Sequence, residues 1–222
     1  KIIQTFPDAP GVYLFYGADK ELLYVGKATS LKNRVRSYFN GKPNIRPIEQ
    51  RMHQVHDIKW KETESVLEAI ILEANEIKKH LPKYNVIGKD NKSWNYIVIT
   101  RDEYPRVLTI RQHELDGYKH SNIKTLKQFQ HIFGPYPGLN MAAAIKLLRR
   151  LFQFSDCQKS FKHKNIKTLK HTRPCLYYQL GQCLGVCTGE ISPSEYRKKV
   201  IRPLVTFLSG RKKQLIKSLE VN

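Results

Sequence analysis

The chain has 222 residues, with 39 Lys or Arg against 19 Asp or Glu and a formal net charge of +20. Hydrophobic residues make up 41% of it, which excludes a disordered tail, and no apolar run approaches the ~18 residues that a membrane span needs. The first residues lack the apolar stretch of a secretory signal, so we expect a cytoplasmic protein with no membrane partner. The basic excess favours a polyanionic partner, although a ribosomal or other RNA-binding protein would fit the charge equally well.

Residues 8–90 have the pattern of a compact α/β unit. Short β-rich runs at Val12–Tyr16 and Leu22–Val25 flank a turn and predict a hairpin, and His56–Lys61 predicts a third strand. Ser30 and Ser65 are each placed to cap a helix. The first of these helices is expected to carry Leu31, Val35, Tyr38 and Phe39 on a helical spacing, and the second, over residues 65–80, to bury Val66, Leu67, Ile70, Ile71, Ala74 and Ile77.

Residues 91–140 predict a second, smaller β segment. Tyr96–Thr100 and Val107–Arg111 read as paired strands. The polar stretch Gln112–His131 is expected to be rich in loops, and Phe133–Gly138 to be a rigid turn. We therefore expect a β-hairpin that connects the first unit to the rest of the chain.

Residues 141–210 predict a mainly helical domain that contains all four cysteines. Met141–Phe152 reads as a helix, and a basic helix over Pro193–Leu208 ends near Gly210. Another basic helix begins within residues 211–222. The apolar side of the first helix is expected to comprise Ala144, Leu147, Leu148 and Leu151. The fold class is therefore α/β, more strictly α+β.

Five residues of the first unit suit phosphate chemistry. Tyr13 and Tyr24 lie on the two strands of the hairpin, and Lys27 follows directly. Arg34 and Tyr38 are four residues apart and share a helical face. A tyrosine beside a cation can have a lowered pKa and act as a general base, while an arginine can bind phosphate oxygens with its fork. Alone, each of these residues would more often be a packing or surface residue.

Glu73 is an acid in the middle of an apolar helix. An unpaired carboxylate there would be costly, so we expect it to face a partner or a metal ion. Carboxylate oxygen is a preferred ligand of Mg²⁺, which keeps several waters and needs few protein ligands. Hydrolysis of a phosphodiester needs such a cation, an activated water and positive charge for the transition state.

The motifs resemble those of the GIY-YIG nuclease family. Gly11-Val12-Tyr13 and Tyr24-Val25-Gly26 are similar to its two-part signature, with Val at both central positions instead of Ile. Longer stretches are similar to the UvrC-type excinucleases within that family: Leu23–Ala28, Asn33–Phe39, Leu72–Asn75, Pro82–Asn85, Lys89–Ser93, Phe133–Pro137 and Arg173–Leu184.

The resemblance implies a GIY-YIG fold, in which a small antiparallel sheet is flanked by helices. It also implies a DNA endonuclease, dependent on Mg²⁺ or Mn²⁺, that makes the 3′-side incision near bulky lesions in bacterial nucleotide excision repair. Its partners would be damaged double-stranded DNA and UvrB, with most of the UvrB-contacting module lying after residue 222. The resemblance further implies Glu73 as the metal ligand and a catalytic set of Tyr13, Tyr24, Lys27, Arg34, Tyr38 and Asn85. We favour Tyr24 as the base and Tyr13 as its hydrogen-bonding neighbour.

The four cysteines form a second candidate site. Clustered cysteines in a cytosolic chain favour metal binding or catalysis over disulfides. Four thiolates can hold Zn²⁺ or an iron–sulfur cluster. The resemblance implies an iron–sulfur (4Fe–4S) cluster on Cys157, Cys175, Cys183 and Cys187. His163 and His171 lie between the first two cysteines and keep zinc as an alternative.

Two other functions remain open at this point. A shorter UvrC-like incision homologue would carry the same motifs. A DNA-binding module with a non-cutting GIY-YIG site would keep the basic surface and be indifferent to loss of Glu73.

Overall fold

A computed structural model describes residues 5–40, 48–86, 94–121, 127–136, 141–157 and 174–220. The chain divides into two compact units, residues 1–93 with 134–137, and residues 94–133 with 138–222. Within the described residues, no helix is long and apolar enough to cross a membrane.

The first unit is built on an antiparallel sheet of strand order β2-β1-β3. These strands are β1 (Gly11–Tyr16), β2 (Leu22–Ala28) and β3 (Asp57–Glu62). Tyr13 is paired with Gly26 on one side and with Trp60 on the other. The predicted hairpin and third strand are confirmed.

Helices flank both faces of this sheet. Helix α1 (Leu31–Ser37) begins where the Ser30 side chain accepts a hydrogen bond from the Asn33 N–H, and α2 (Val66–His80) begins at Ser65 in the same way. A 3₁₀ helix (Glu49–Gln54) and a short α3 (Lys83–Val86) complete the unit. Both predicted caps are therefore confirmed.

Two predictions for these helices are wrong. Phe39 was expected on α1, but α1 ends at Ser37 and the Phe39 side chain is half exposed. Val66 is exposed because it is the first residue of α2, ahead of the turns that contact the sheet.

The residues of β1 alternate between two hydrophobic clusters, as the pleat of a strand requires. Tyr13 and Phe15 lie in a cluster with Tyr24, Leu31, Val35 and Tyr84. Val12 and Leu14 lie in another cluster with Val25, Ala69 and Ile77. The tyrosine face of the sheet therefore packs on α1, and the opposite face packs on α2.

The second unit contains a sheet of order β5-β4-β6. Its strands are β4 (Asn95–Thr100), β5 (Val107–Arg111) and β6 (Phe129–Tyr136), and β4 and β5 are the predicted antiparallel pair. The prediction of loops over Gln112–His131 is wrong, because α4 (Gln112–Ser121) follows β5 directly and β6 begins at Phe129. A rigid turn was predicted over Phe133–Gly138. This prediction is wrong for Phe133–Tyr136, because these residues continue β6. Pro137 and Gly138 lie outside the described residues.

The remaining helices include the predicted ones in the predicted order, and one short helix, Leu176–Gln179, that was not predicted. They are α5 (Met141–Phe152), α6 (Leu176–Gln179), α7 (Pro193–Tyr196), a π-helical turn (Arg197–Ile201), α8 (Arg202–Leu208) and α9 (Lys212–Glu220). The helix predicted over Pro193–Leu208 is confirmed as the continuous run of α7, the π-turn and α8.

Two predicted core residues of α5 are exposed. Leu147 and Leu151 face outward, whereas Arg149 is buried. The Arg149 guanidinium donates hydrogen bonds to the Asp156 carboxylate and to the Phe154 carbonyl. These bonds compensate the charge of Arg149 at a buried position, where the apolar pattern of the sequence predicts a leucine.

Two buried tyrosines hold the centre of the second unit. Tyr104 and Tyr196 pack edge to face at 5.8 Å between ring centroids. The Tyr104 hydroxyl donates to the Ile191 carbonyl at 2.7 Å. The Tyr196 hydroxyl accepts from the Ser155 N–H at 2.8 Å and donates to the Pro105 carbonyl at 3.2 Å. One phenol thus joins three separate segments of the chain.

We expect Tyr196→Phe to lower the free energy of unfolding by about 1–3 kcal/mol, because the buried Ser155 N–H loses its partner. Urea denaturation monitored by circular dichroism measures the change. Tyr178→Phe is the control, since it removes a hydroxyl that bonds Glu190 at the surface, and we expect it to cost less than about 1 kcal/mol. Equal effects of the two variants would contradict this role of Tyr196.

Candidate active site

Arg34 and two tyrosines form a hydrogen-bonded group on the α1 side of the first sheet. The Tyr13 and Tyr38 hydroxyls lie 2.7 Å apart. Arg34 Nη2 donates to Tyr38 Oη at 3.0 Å, and Arg34 Nε donates to Tyr13 Oη at 3.3 Å. The guanidinium also lies 4.6 Å from the centroid of the Tyr38 ring. The predicted juxtaposition of Arg34 and Tyr38 is therefore present, and Tyr13 joins them from β1.

Gly26 makes room for this group. Its cross-strand partner is Tyr13, and a Cβ added at Gly26 would collide with the Tyr13 phenol ring. Tyr24, two residues earlier on the same face of β2, has its ring centroid 6.1 Å from that of Tyr13. The last residue of the Tyr24-Val25-Gly26 motif thus has a steric reason to be glycine.

The Tyr13 phenol is held in its neutral form. Burial raises its pKa well above the ordinary value, and the neighbouring Tyr24 and Tyr38 raise it further, while Arg34 opposes them. A phenol with a raised pKa stays protonated near neutral pH. Tyr13 is therefore suited to donate a hydrogen bond, as expected for the neighbour of a base.

Glu49 contacts this group and was not singled out from the sequence. Its Oε1 lies 3.6 Å from Arg34 Nη2, and its side chain is largely buried. Its other oxygen, Oε2, is buried with no hydrogen-bond partner among the described residues. Glu49 begins a short 3₁₀ helix, where no apolar periodicity distinguishes an inward-facing acid.

Glu73 and Lys27 form a partly buried ion pair on the α2 side of β2. Lys27 Nζ lies 2.6 Å from Glu73 Oε2, and the Lys27 N–H donates to Glu73 Oε1 at 3.1 Å. Glu73 is only 5% exposed. The expectation that this carboxylate faces a partner is confirmed, and the partner is Lys27.

The donor chemistry at Glu73 fits a hard divalent cation. A carboxylate has about four lone-pair positions, and Lys27 uses two of them. Among the described residues, no three His, Cys, Asp or Glu side chains group closely enough to hold a metal ion. Glu73 alone with several waters is nevertheless a coordination that Mg²⁺ accepts.

Asn85 is bonded to the backbone of β2 instead of pointing toward the tyrosines. Its Oδ1 accepts from the Val25 N–H at 2.7 Å, and its Nδ2 donates to the Val25 carbonyl at 2.8 Å. The side chain is 1% exposed. In this arrangement Asn85 fixes the position of β2 between Tyr24 and Gly26.

The four cysteines are free thiols in the second unit. Burial raises the pKa of Cys183 to about 11, with smaller upward contributions from Cys157 and Cys175. The pKa of Cys187 is raised by burial and by the same two cysteines. Within the described residues the thiols do not group closely enough to hold a metal ion. His163 and His171, the zinc alternative, lie outside the described residues.

Known proteins match this chain along most of its length. Residues 9–86 match the family described as UvrC-like GIY-YIG domain, and residues 94–204 match the UvrC/Cho excinuclease middle domain. UvrABC system protein C of Desulforudis audaxviator is 40% identical, covering 98% of this chain and 32% of its own length. The protein of the same name from Caldanaerobacter subterraneus is 38% identical, covering 98% and 33%. The chain thus spans about a third of the length of the curated relatives that it matches.

One solved structure is the GIY-YIG N-terminal endonuclease domain of UvrC from Thermotoga maritima, bound to its catalytic divalent cation, magnesium. It is 40% identical, covers 38% of this chain and 91% of that chain, and has a TM-score of 0.35. The two family matches account for both units, and the chain belongs to the UvrC/Cho excinuclease family, with a UvrC-like GIY-YIG domain followed by the middle domain.

Proposed function

We propose that this chain is a metal-dependent DNA endonuclease that makes the 3′-side incision near bulky lesions in bacterial nucleotide excision repair. The ion pair between the buried Glu73 and Lys27 carries this proposal. Lys27 directly follows Gly26, which lies against the Tyr13 phenol, so β2 joins the carboxylate to the tyrosine–arginine group.

Five residues of the candidate site have a proposed role in the hydrolysis of a phosphodiester. Glu73 would hold Mg²⁺ or Mn²⁺, which supplies a Lewis acid for the scissile phosphate. Arg34 presents a fork that matches phosphate oxygens, and Lys27 adds positive charge beside the carboxylate. Tyr24, in its deprotonated form, would take the proton of the attacking water, the water oxygen would bond to phosphorus as the phosphorus–ester oxygen bond breaks, and the released oxygen would take a proton from solvent. Tyr13 donates its phenol hydrogen bond and keeps the group in position.

The partners follow from the same proposal. DNA is the ligand that a net charge of +20 favours. UvrB is the proposed protein partner, with α9 (Lys212–Glu220) as the beginning of the contacting module. The proposed location is the cytoplasm.

We expect Glu73→Gln to reduce nicking of a lesion-bearing duplex by about 100-fold or more while DNA binding persists, because the amide is a poor ligand for a hard cation. The assay contains Mg²⁺ or Mn²⁺ and UvrB, and the incised strand is resolved by denaturing electrophoresis. Glu76→Gln is the matched control: it lies on the same helix and pairs with Lys61 and His80. If Glu73→Gln cuts as fast as the control, the proposed metal ligand is wrong.

We expect Tyr24→Phe to lower the rate of the chemical step by about 10²–10⁴-fold and to abolish the rise of rate with pH that a general base gives. Tyr13→Phe should keep that rise, because the raised pKa of Tyr13 leaves it protonated across the range. Single-turnover nicking between about pH 6 and 9, the range in which enzymes commonly use a general base, separates the two variants. Loss of the pH-dependent rise in Tyr13→Phe alone would reverse the two roles.

We further propose that Cys157, Cys175, Cys183 and Cys187 bind a 4Fe–4S cluster. The second unit contains four free thiols, and thiolate sulfur is the ligand that such clusters use. Anaerobically purified protein should absorb visible light and contain iron and sulfide, and Cys183→Ser should lose both. Glu73→Gln is the control that should retain the cluster. Colourless protein with stoichiometric zinc would contradict the assignment.

A further inference from the structure

The second unit contains a cleft whose lining is basic and apolar. Its volume is about 400 Å³. The lining residues come from β6 and from the run of π-turn and α8: Gln130, His131, Arg197, Ile201, Arg202, Val205 and Thr206. No acidic side chain is among them, and none of them belongs to the tyrosine group or to the cysteines.

The π-turn brings two arginines onto one wall of this cleft. The Arg202 N–H donates to the Arg197 carbonyl, five residues earlier. On an α-helix, residues five apart point about 140° away from each other. A π-turn contains more residues than an α-helical turn, so it reduces the angle between the Arg197 and Arg202 side chains, and both of them line the cleft. π-turns within α-helices are often found at functional sites.

The two arginines differ in how they are held. Arg197 Nη2 donates to the carbonyls of Asp102 at 2.8 Å and Glu103 at 3.1 Å, which orients the guanidinium and leaves its other N–H groups for a ligand. Arg202 is exposed, and within the described ranges its guanidinium has no hydrogen bond or ion pair. One arginine is thus fixed in place and the other can adjust to a ligand.

The other lining residues supply different chemistry. His131 stacks on Phe133 with ring centroids 5.9 Å apart. Burial lowers the pKa of His131, and the positive charge of Arg101 lowers it further. Ile201 and Val205 add aliphatic side chains to the lining. A lining that combines two arginines with aliphatic side chains matches a phosphate joined to a sugar and base.

We propose that this cleft binds one nucleotide of the DNA strand, with its phosphate on Arg197 and Arg202 and its sugar and base over Ile201 and Val205. A volume near the lower end of the usual range for ligand pockets, about 300–1,000 Å³, suits one nucleotide and not several. The inference rests on the proposed function for its choice of DNA, but it needs no cleavage chemistry.

The test compares Arg202→Gln with Lys198→Gln. Lys198 is an exposed cation of the same π-turn that does not line the cleft. Binding of a fluorescent lesion-bearing oligonucleotide is measured by anisotropy across a salt series, without divalent metal so that no strand is cut. Thermal unfolding checks that both variants fold.

We expect Arg202→Gln to weaken binding roughly 3–10-fold and to reduce the slope of log K against log salt by about 0.7–0.9, the value for one lost phosphate contact. Lys198→Gln should bind as the unaltered chain does. Equal losses in both variants, or no loss in either, would overturn the cleft as a specific contact, while DNA binding and the Glu73→Gln nicking result would still stand. Absence of DNA binding by the unaltered chain would overturn both proposals.

A competition experiment distinguishes a nucleotide site from a simple anion site. Deoxyadenosine monophosphate and inorganic phosphate are added at matched ionic strength to the complex with the oligonucleotide. The aliphatic side chains of the lining predict that the mononucleotide competes better than inorganic phosphate. Equal competition by the two anions would overturn the nucleotide assignment.

Discussion

A carboxylate within the apolar face of a helix must be paired, and the Glu73–Lys27 interaction meets this requirement in the first unit. Removing an ion from water costs several kcal/mol unless an opposite charge and hydrogen bonds compensate. Lys27 provides both, through its ammonium group and its backbone N–H. Because one of these bonds goes to the main chain, the pair fixes where α2 lies against β2. The packing of Ala69 and Ile77 on the sheet follows from that position.

A single strand, β2, therefore organises both halves of the candidate site. Residues of a strand alternate between faces, so Val25 and Lys27 lie toward α2 while Tyr24 and Gly26 lie toward α1. The carboxylate that would hold a cation and the tyrosine–arginine group that would surround a phosphate are thus coupled through adjacent residues. A shift of β2 by one residue would exchange the two faces and dismantle both groups.

The sequence was sufficient where a local rule decides the structure and insufficient where a distant contact does. The strands and the helix caps at Ser30 and Ser65 follow local rules. The expectation that Glu73 has a partner follows from a local rule as well, because it lies in an apolar helix. Helix α4 (Gln112–Ser121) was missed because polar pairs such as Gln112 with Asp116 stabilise it without an apolar stripe. Leu147 was placed in the core because nothing in its spacing reveals that Arg149, bonded to Asp156, takes the inner position. Glu49 was overlooked because its partner Arg34 is remote in the sequence.

The bonds of Asn85 have a consequence for how this protein behaves in concentrated solution. β2 is an edge strand of its sheet, and unpaired main-chain groups on an edge are a template for another chain. The Asn85 amide occupies both groups of Val25, and Glu73 occupies the N–H of Lys27. The side chains of Asn85 and Glu73 therefore occupy the position at which a strand of another molecule would pair with β2. Variants at either position expose that edge, so their self-association has to be measured before a loss of activity is assigned to chemistry.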